Sequence, residues 1–161
     1  MRKLLLTVGA LLAALPTYAK NLALPEKSPI ATITVPNSWK MEDIEYGYSA
    51  RSPDGDIFFS AEYATGARVD RMMDNNTKWM KENKITATKE PMEREIDIGG
   101  IRCKLLRIVG KDENGPTIVD FLFMPAGEKR LIMLTLWGSE EERASNQADI
   151  DTIQSSLKPI K

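Results

Sequence analysis

Glu93, Glu95 and Asp97 form the densest cluster of carboxylates in any strand-like segment of the sequence. Spacing of two places them on one face of a strand, where three carboxylates could approach a hard cation. Ca²⁺ takes about six to eight oxygens, usually from a loop wrapped around the ion, so the spacing reads as a solvated strand face. Asp54-Gly55-Asp56 and Asp112-Glu113-Asn114-Gly115 have the composition of Ca²⁺ loops without the remainder of one, and turn chemistry explains both. Asp120 is different. It interrupts Thr117-Ile118-Val119-Asp120-Phe121-Leu122-Phe123, a run apolar on both strand faces, and a buried carboxylate needs a partner. Arg51 and Arg107 are the candidate cations, and an ion-paired structural acid is the reading favoured over a functional one.

The sequence contains no histidine. Ser-His-Asp and Cys-His nucleophilic systems, His-containing zinc sites and His-Glu-x-x-His are therefore impossible within one chain. Phosphate-binding glycine loops, dinucleotide fingerprints and nucleophile elbows are also missing from the sequence. The single cysteine, Cys103, shares a strand face with Ile101 and Leu105 and reads as a small buried hydrophobe rather than a reactive thiol. No catalytic residue, cofactor or metal site is expected. One surface suits binding: Met72, Met73, Trp79 and Met80 recur at helical spacing, and methionines repack around varied apolar partners. Such a stripe also glues a helix to a sheet. Tyr46 and Tyr48 pose the same alternative, between sheet packing and ligand contact.

The elements that position these residues follow from periodicity. Met1-Arg2-Lys3, the apolar run Leu4 to Leu15, Pro16 and the small-residue end Thr17-Tyr18-Ala19 read as a signal peptide over residues 1–19. The run is too short to span a bilayer, which takes about 20 residues. Cleavage there would leave 142 residues beginning at Lys20, with 20 basic and 23 acidic side chains and a net charge near −3. The expected product is a soluble periplasmic or secreted protein with no membrane anchor. Basic residues are interspersed with acidic ones, so no nucleic-acid partner is expected. The absence of a second cysteine means that an exported domain of this size must rely on its core.

Residues 20–29, with Pro25 and Pro29, read as a flexible lead-in, and 30–161 as one domain. Alternation predicts a strand over 30–35, one strand from Met41 to Arg51, and a second from Asp56 to Ala64 after the Ser52-Pro53-Asp54-Gly55 turn. A helix is expected from Arg68 to Asn83. Strands follow over 86–89, 93–98, 101–109, 117–124 and 130–137. The last two are apolar on both faces, which calls for cover on each side of the sheet. Ser139 and Glu142 fit a capping box that opens a closing helix with Ile150, Ile153 and Leu157 as its apolar stripe. Ile57, Phe59, Cys103, Phe121, Phe123, Met133, Leu134 and Leu136 are expected in the core. The fold class is α+β, an antiparallel sheet with helices packed on both faces in an α/β/α sandwich.

This order, with Val35-Pro36-Asn37-Ser38-Trp39, the Gly99-Gly100 hairpin and the terminal Ser155-Ser156-Leu157-Lys158, resembles the PsbP/DcrB-like family. The resemblance covers about Ile30 to Lys158 and implies an antiparallel sheet between helical layers. Its members include a subunit of the photosynthetic oxygen-evolving complex, a Ran-binding transport factor, envelope proteins and effector chaperones, so it implies partner binding rather than turnover. This chain lacks the lipidation cysteine of the envelope lipoproteins, and its export signal sets it apart from the chaperones. The expected function is a non-catalytic periplasmic binding or accessory protein acting through a protein or small apolar partner. Two alternatives are an immunity protein against an envelope-acting toxin and a carboxylate-only hydrolase, which needs two converging acids.

Overall fold

A computed structural model of the chain describes residues 19–160. The proposed signal peptide lies outside the described residues except for Ala19. Strand β1 (Ala19–Leu24) pairs antiparallel with β2 (Ala31–Pro36), and the two-residue β11 (Lys158–Pro159) closes a small three-stranded sheet on the other edge of β2. Residues 20–29 are thus not a structureless lead-in. The partner for this polar stretch is a β-branched strand whose edge offers backbone bonds, and Leu24 gains full burial there. Local composition does not encode that reward.

The main sheet contains eight antiparallel strands. Its path runs β3 (Lys40–Ile44), β4 (Gly47–Arg51), β5 (Phe58–Thr65), β10 (Arg130–Gly138), β9 (Gly115–Pro125), β8 (Ile101–Asp112) and β6 (Thr86–Ala87), and β7 (Met92–Ile98) also pairs with β8. Met41 to Arg51 is not one strand. Glu45 and Tyr46 turn the chain, and Gly47 lies directly against the next strand: a Cβ there would sit 2.1 Å from the Ala61 carbonyl oxygen. Only glycine permits that approach.

Helix α1 (Arg68–Glu82) covers one face of the sheet, with Met72 buried among Ile108, Val119, Phe121 and Met133. The opposite face carries Phe59, Ala61, Leu134 and Leu136. These pack with Ile33 and Val35 of the small sheet and with Ile150 and Ile153 of α3 (Gln147–Ser156). The two-sided apolar strands read from the sequence are thus central, with helices on each side. The expected core residues are buried, except that Phe123 is half-buried beside the α1 cluster.

The closing helix is two helices. α2 (Glu140–Ser145) opens on the expected capping box, with Ser139 Oγ accepting from Glu142 N at 3.2 Å and Glu142 Oε2 accepting from Ser139 N at 2.6 Å. The chain then breaks at Asn146. Two contacts hold α3 in place: the Trp39 indole N–H donates to Asp149 at 2.7 Å, and Ser156 Oγ accepts from Thr34 N at 2.8 Å.

Candidate functional site

Sheet register builds the site. Arg107 of β8, Asp120 of β9, Leu136 of β10 and Phe59 of β5 stand directly opposite one another in a row across four strands. Two residues along the strands, a parallel row holds Arg94, Leu105, Leu122 and Leu134. Period-2 alternation turns both rows to the face carrying α3, whose Ile150, Ile153 and Gln154 overhang them. Between floor and overhang lies a crevice of about 240 Å³.

Asp120 anchors its inner end. Arg107 donates from Nε to Oδ1 at 2.7 Å and from Nη2 to Oδ2 at 2.8 Å, a two-pronged pair of the strong planar type. Arg143 of α2, absent from the sequence reading, donates from Nη1 to Oδ2 at 2.7 Å. Its remaining nitrogens bond the backbone carbonyls of Gly138, Ile118 and Leu136 at 2.8–3.0 Å. Arg51, the other candidate partner, instead lies over the Phe58 and Trp137 rings at 5.4 and 5.7 Å. Burial raises the Asp120 pKa, but the bonds and charges of Arg107 and Arg143 outweigh it, and the carboxyl is held below its ordinary value. Burial in turn lowers the Arg143 pKa, against the opposing pull of Asp120. The triad holds α2 to β9 and to the last residues of β10 and leaves Asp120 a charged acceptor with no proton to give.

The rest of the crevice is mainly apolar, with Arg94, Thr135 and Gln154 as its other polar residues. Ile96, Leu105 and Leu122 are half-buried, so α3 leaves part of the row uncovered. Arg94 is exposed at the mouth, and Asp120 is the one acid in the lining. A larger concavity of about 600 Å³ lies between the β8–β9 hairpin and the start of α2. It is bordered by Asp56, Asp112 and Glu140 to Glu142, lacks a cation, and does not have the apolar lining with a few convergent polar groups that marks ligand sites.

The remaining candidates separate. Met72 is fully buried and belongs to the core. Met73, Trp79 and Met80 are half-buried against the sheet, and Trp79 stacks on Phe58 with ring centres 4.9 Å apart. Tyr46 and Tyr48 do not share a face. Tyr46, in the turn, joins the α1 cluster beneath Arg68, while Tyr48 packs on the opposite side, where burial, then Glu26 and Asp43, raise its pKa. Tyr46 and Trp79 meet across a second cleft whose floor is Glu62, an acid in the Asp56 to Ala64 strand that sequence reasoning did not single out.

The acids singled out for Ca²⁺ are otherwise engaged. Glu93 pairs with Lys104 at 2.7 Å, Glu95 with Arg102 at 3.7 Å, and Asp97 accepts from Gly100 N. Asp54 and Asp112 each accept a backbone N–H two residues on, as turn residues do. Among the described residues no cluster of three or more His, Cys, Asp or Glu is placed to hold a metal, and no helix is long and apolar enough to cross a membrane. Cys103 is 1% exposed, and burial followed by the charge of Asp97 pushes its thiol pKa up.

No protein-family model matches the chain, and no curated protein sequence matches it. Solved structures do. The solution structure of cyanobacterial PsbP (CyanoP) from Synechocystis superposes with a TM-score of 0.63 at 14% identity, covering 95% of this chain and 99% of that one. LpqN, involved in cell envelope biogenesis of Mycobacterium tuberculosis, gives a TM-score of 0.58 at 12% identity over 89% of this chain and 91% of LpqN. A Bacteroides thetaiotaomicron structure gives 0.52 at 13% identity, covering 81% of this chain and 45% of that one. The fold is PsbP-like.

Proposed function

We propose that this chain is an exported, non-catalytic binding module that holds a small apolar molecule in the crevice beneath α3. Half-buried Leu105 and Leu122, beside the buried Leu134, carry the reading, because they leave apolar surface at the bottom of a concavity rather than a flush core. A cavity of about 150 Å³ suffices for benzene. The 240 Å³ here matches a short acyl chain or a small ring system. Arg94 and the outer edge of Arg107 stand at its mouth, so a ligand with an acidic head and an apolar body complements it best.

Turnover is disfavoured on the same geometry. Acid/base work would fall to Asp120, which already accepts three charge-assisted bonds, and a glycosidase-type mechanism requires a second acid across the site. Export rests on the signal-like residues 1–19, and an envelope setting agrees with the involvement of LpqN in cell envelope biogenesis.

The test is titration with 1-anilinonaphthalene-8-sulfonate, an anionic apolar fluorophore, with near-UV circular dichroism confirming native packing. One saturable site, removed when Leu122→Trp fills the crevice, supports the reading. Enhancement unchanged by that substitution refutes it.

A further inference from the structure

The cleft on the other side of the sheet, between α1 and the β4–β5 edge, has no role in that proposal. Its floor is Glu62, 5% exposed, whose Oε1 accepts from Asn76 Nδ2 at 3.1 Å and from Ser60 Oγ at 3.3 Å. Neither donor is charged. No Lys or Arg nitrogen pairs with Glu62 among the described residues, and none of the cleft's lining residues is cationic. The nearby arginines are occupied elsewhere: Arg68 lies over the Tyr46 ring at 5.1 Å, and Arg51 over Phe58 and Trp137. A buried carboxylate without a cation is an expensive arrangement, and this fold sustains it beside an opening of about 220 Å³.

A second, independent observation concerns Tyr46. This side chain, 6% exposed, forms part of the cleft wall, and its hydroxyl has no hydrogen-bond partner. Buried hydroxyls nearly always find one. Phe58 and Trp79, stacked on each other, supply an aromatic wall, and Glu45 adds a second carboxylate at the exposed rim. The combination is a carboxylate at the bottom, an aromatic wall at the side, and no cationic side chain in the lining. Such surroundings recognise an organic ammonium, through a charge-assisted bond to the acid and attraction to the ring faces. A divalent metal is a poor occupant, since two carboxylates, one of them at the exposed rim, and scattered hydroxyls fall short of its oxygen shell.

We propose that the α1–β5 cleft binds a small primary alkylammonium, with Glu62 as its counter-charge and the Phe58–Trp79 wall against its methylene chain. Burial raises the Glu62 pKa, with Asn76 and Ser60 opposing, and an entering ammonium relieves that penalty by supplying the missing charge.

Isothermal titration calorimetry of the whole protein with cadaverine, against 1,5-pentanediol as its uncharged analogue, tests this. The expected result is saturable cadaverine binding with a Kd of about 1 mM or tighter, no heat from the diol, and at least about tenfold weakening in Glu62→Gln. That variant removes a buried charge and keeps the side-chain shape, so it folds, and a thermal melt checks that it does. No cadaverine binding, equal binding of the diol, or full affinity in a folded Glu62→Gln protein each overturns the proposal.

Discussion

Asp120→Asn isolates the triad that closes the inner end of the crevice. The wild-type carboxylate, 6% exposed, accepts three bonds of 2.7–2.8 Å from two guanidinium groups. Asparagine keeps one acceptor oxygen, turns an NH₂ toward a guanidinium, and removes the negative charge. Arg143 suffers more than Arg107, since its side chain is 12% exposed against 34%, and water can hydrate only the latter. Breaking a buried pair by removing one partner costs about 3–5 kcal/mol. Three of Arg143's bonds go to backbone carbonyls and survive, which sets the expectation at the lower end, about 3 kcal/mol. Urea unfolding followed by tryptophan fluorescence measures it. Replacing all three residues with apolar ones of similar volume should recover most of the loss, because it removes the stranded charges along with the bonds. Within-error stability of Asp120→Asn would refute the reasoning, and retained stability with loss of a measurable turnover would make Asp120 a working acid instead.

Phe121→Ala should cost about 3–5 kcal/mol in the same assay, since Phe121 is 5% exposed in the α1 cluster and stacks with Phe123; a neutral result would misplace β9. The two perturbed acids give opposite pH signatures. Asp120, held below its ordinary value, contributes stability that is complete above the unfolded Asp value of about 3.9 and is lost as pH falls through its lower folded value. Glu62, raised by burial, favours the fold most below the unfolded Glu value of about 4.3 and withdraws that support as pH rises through its folded value. Glu62→Gln should therefore melt higher than wild type by an increment that grows with pH between 4 and 8 (roughly 1 kcal/mol at the upper end, on the scale of an imperfectly satisfied buried group); a constant increment would contradict the assignment. Intact mass of the exported protein should place its N-terminus at Lys20, and a retained Met1 would overturn export.

Asp120 was legible because a charge inside an apolar strand announces its own cost, and Arg107 because it stands across the ladder from it. Arg143 was not. Its reach depends on the break at Asn146 and on where α2 meets the sheet, both tertiary outcomes. Glu62 stayed hidden because alternation reports which residues share a face, not what covers that face; helix α1, which supplies Asn76 as a donor to Glu62, provides the cover. Tyr-Gly-Tyr preserves period 2 in sequence and so reads Tyr46 and Tyr48 onto one face, whereas the turn at Glu45 and Tyr46 leaves them in the two opposite clusters. The helix over 68–83, the double-sided strands and the Ser139 cap were readable because each is encoded within a few residues.

Methyl-resolved NMR during titration with octanoate addresses the central claim most directly. If the crevice beneath α3 is the binding site, the methyl signals of Leu105, Leu122, Ile150 and Ile153 shift together and saturate with one dissociation constant, and Leu122→Trp abolishes the response. Methyls unmoved at saturating octanoate, or shifts confined to another part of the molecule, would contradict the account.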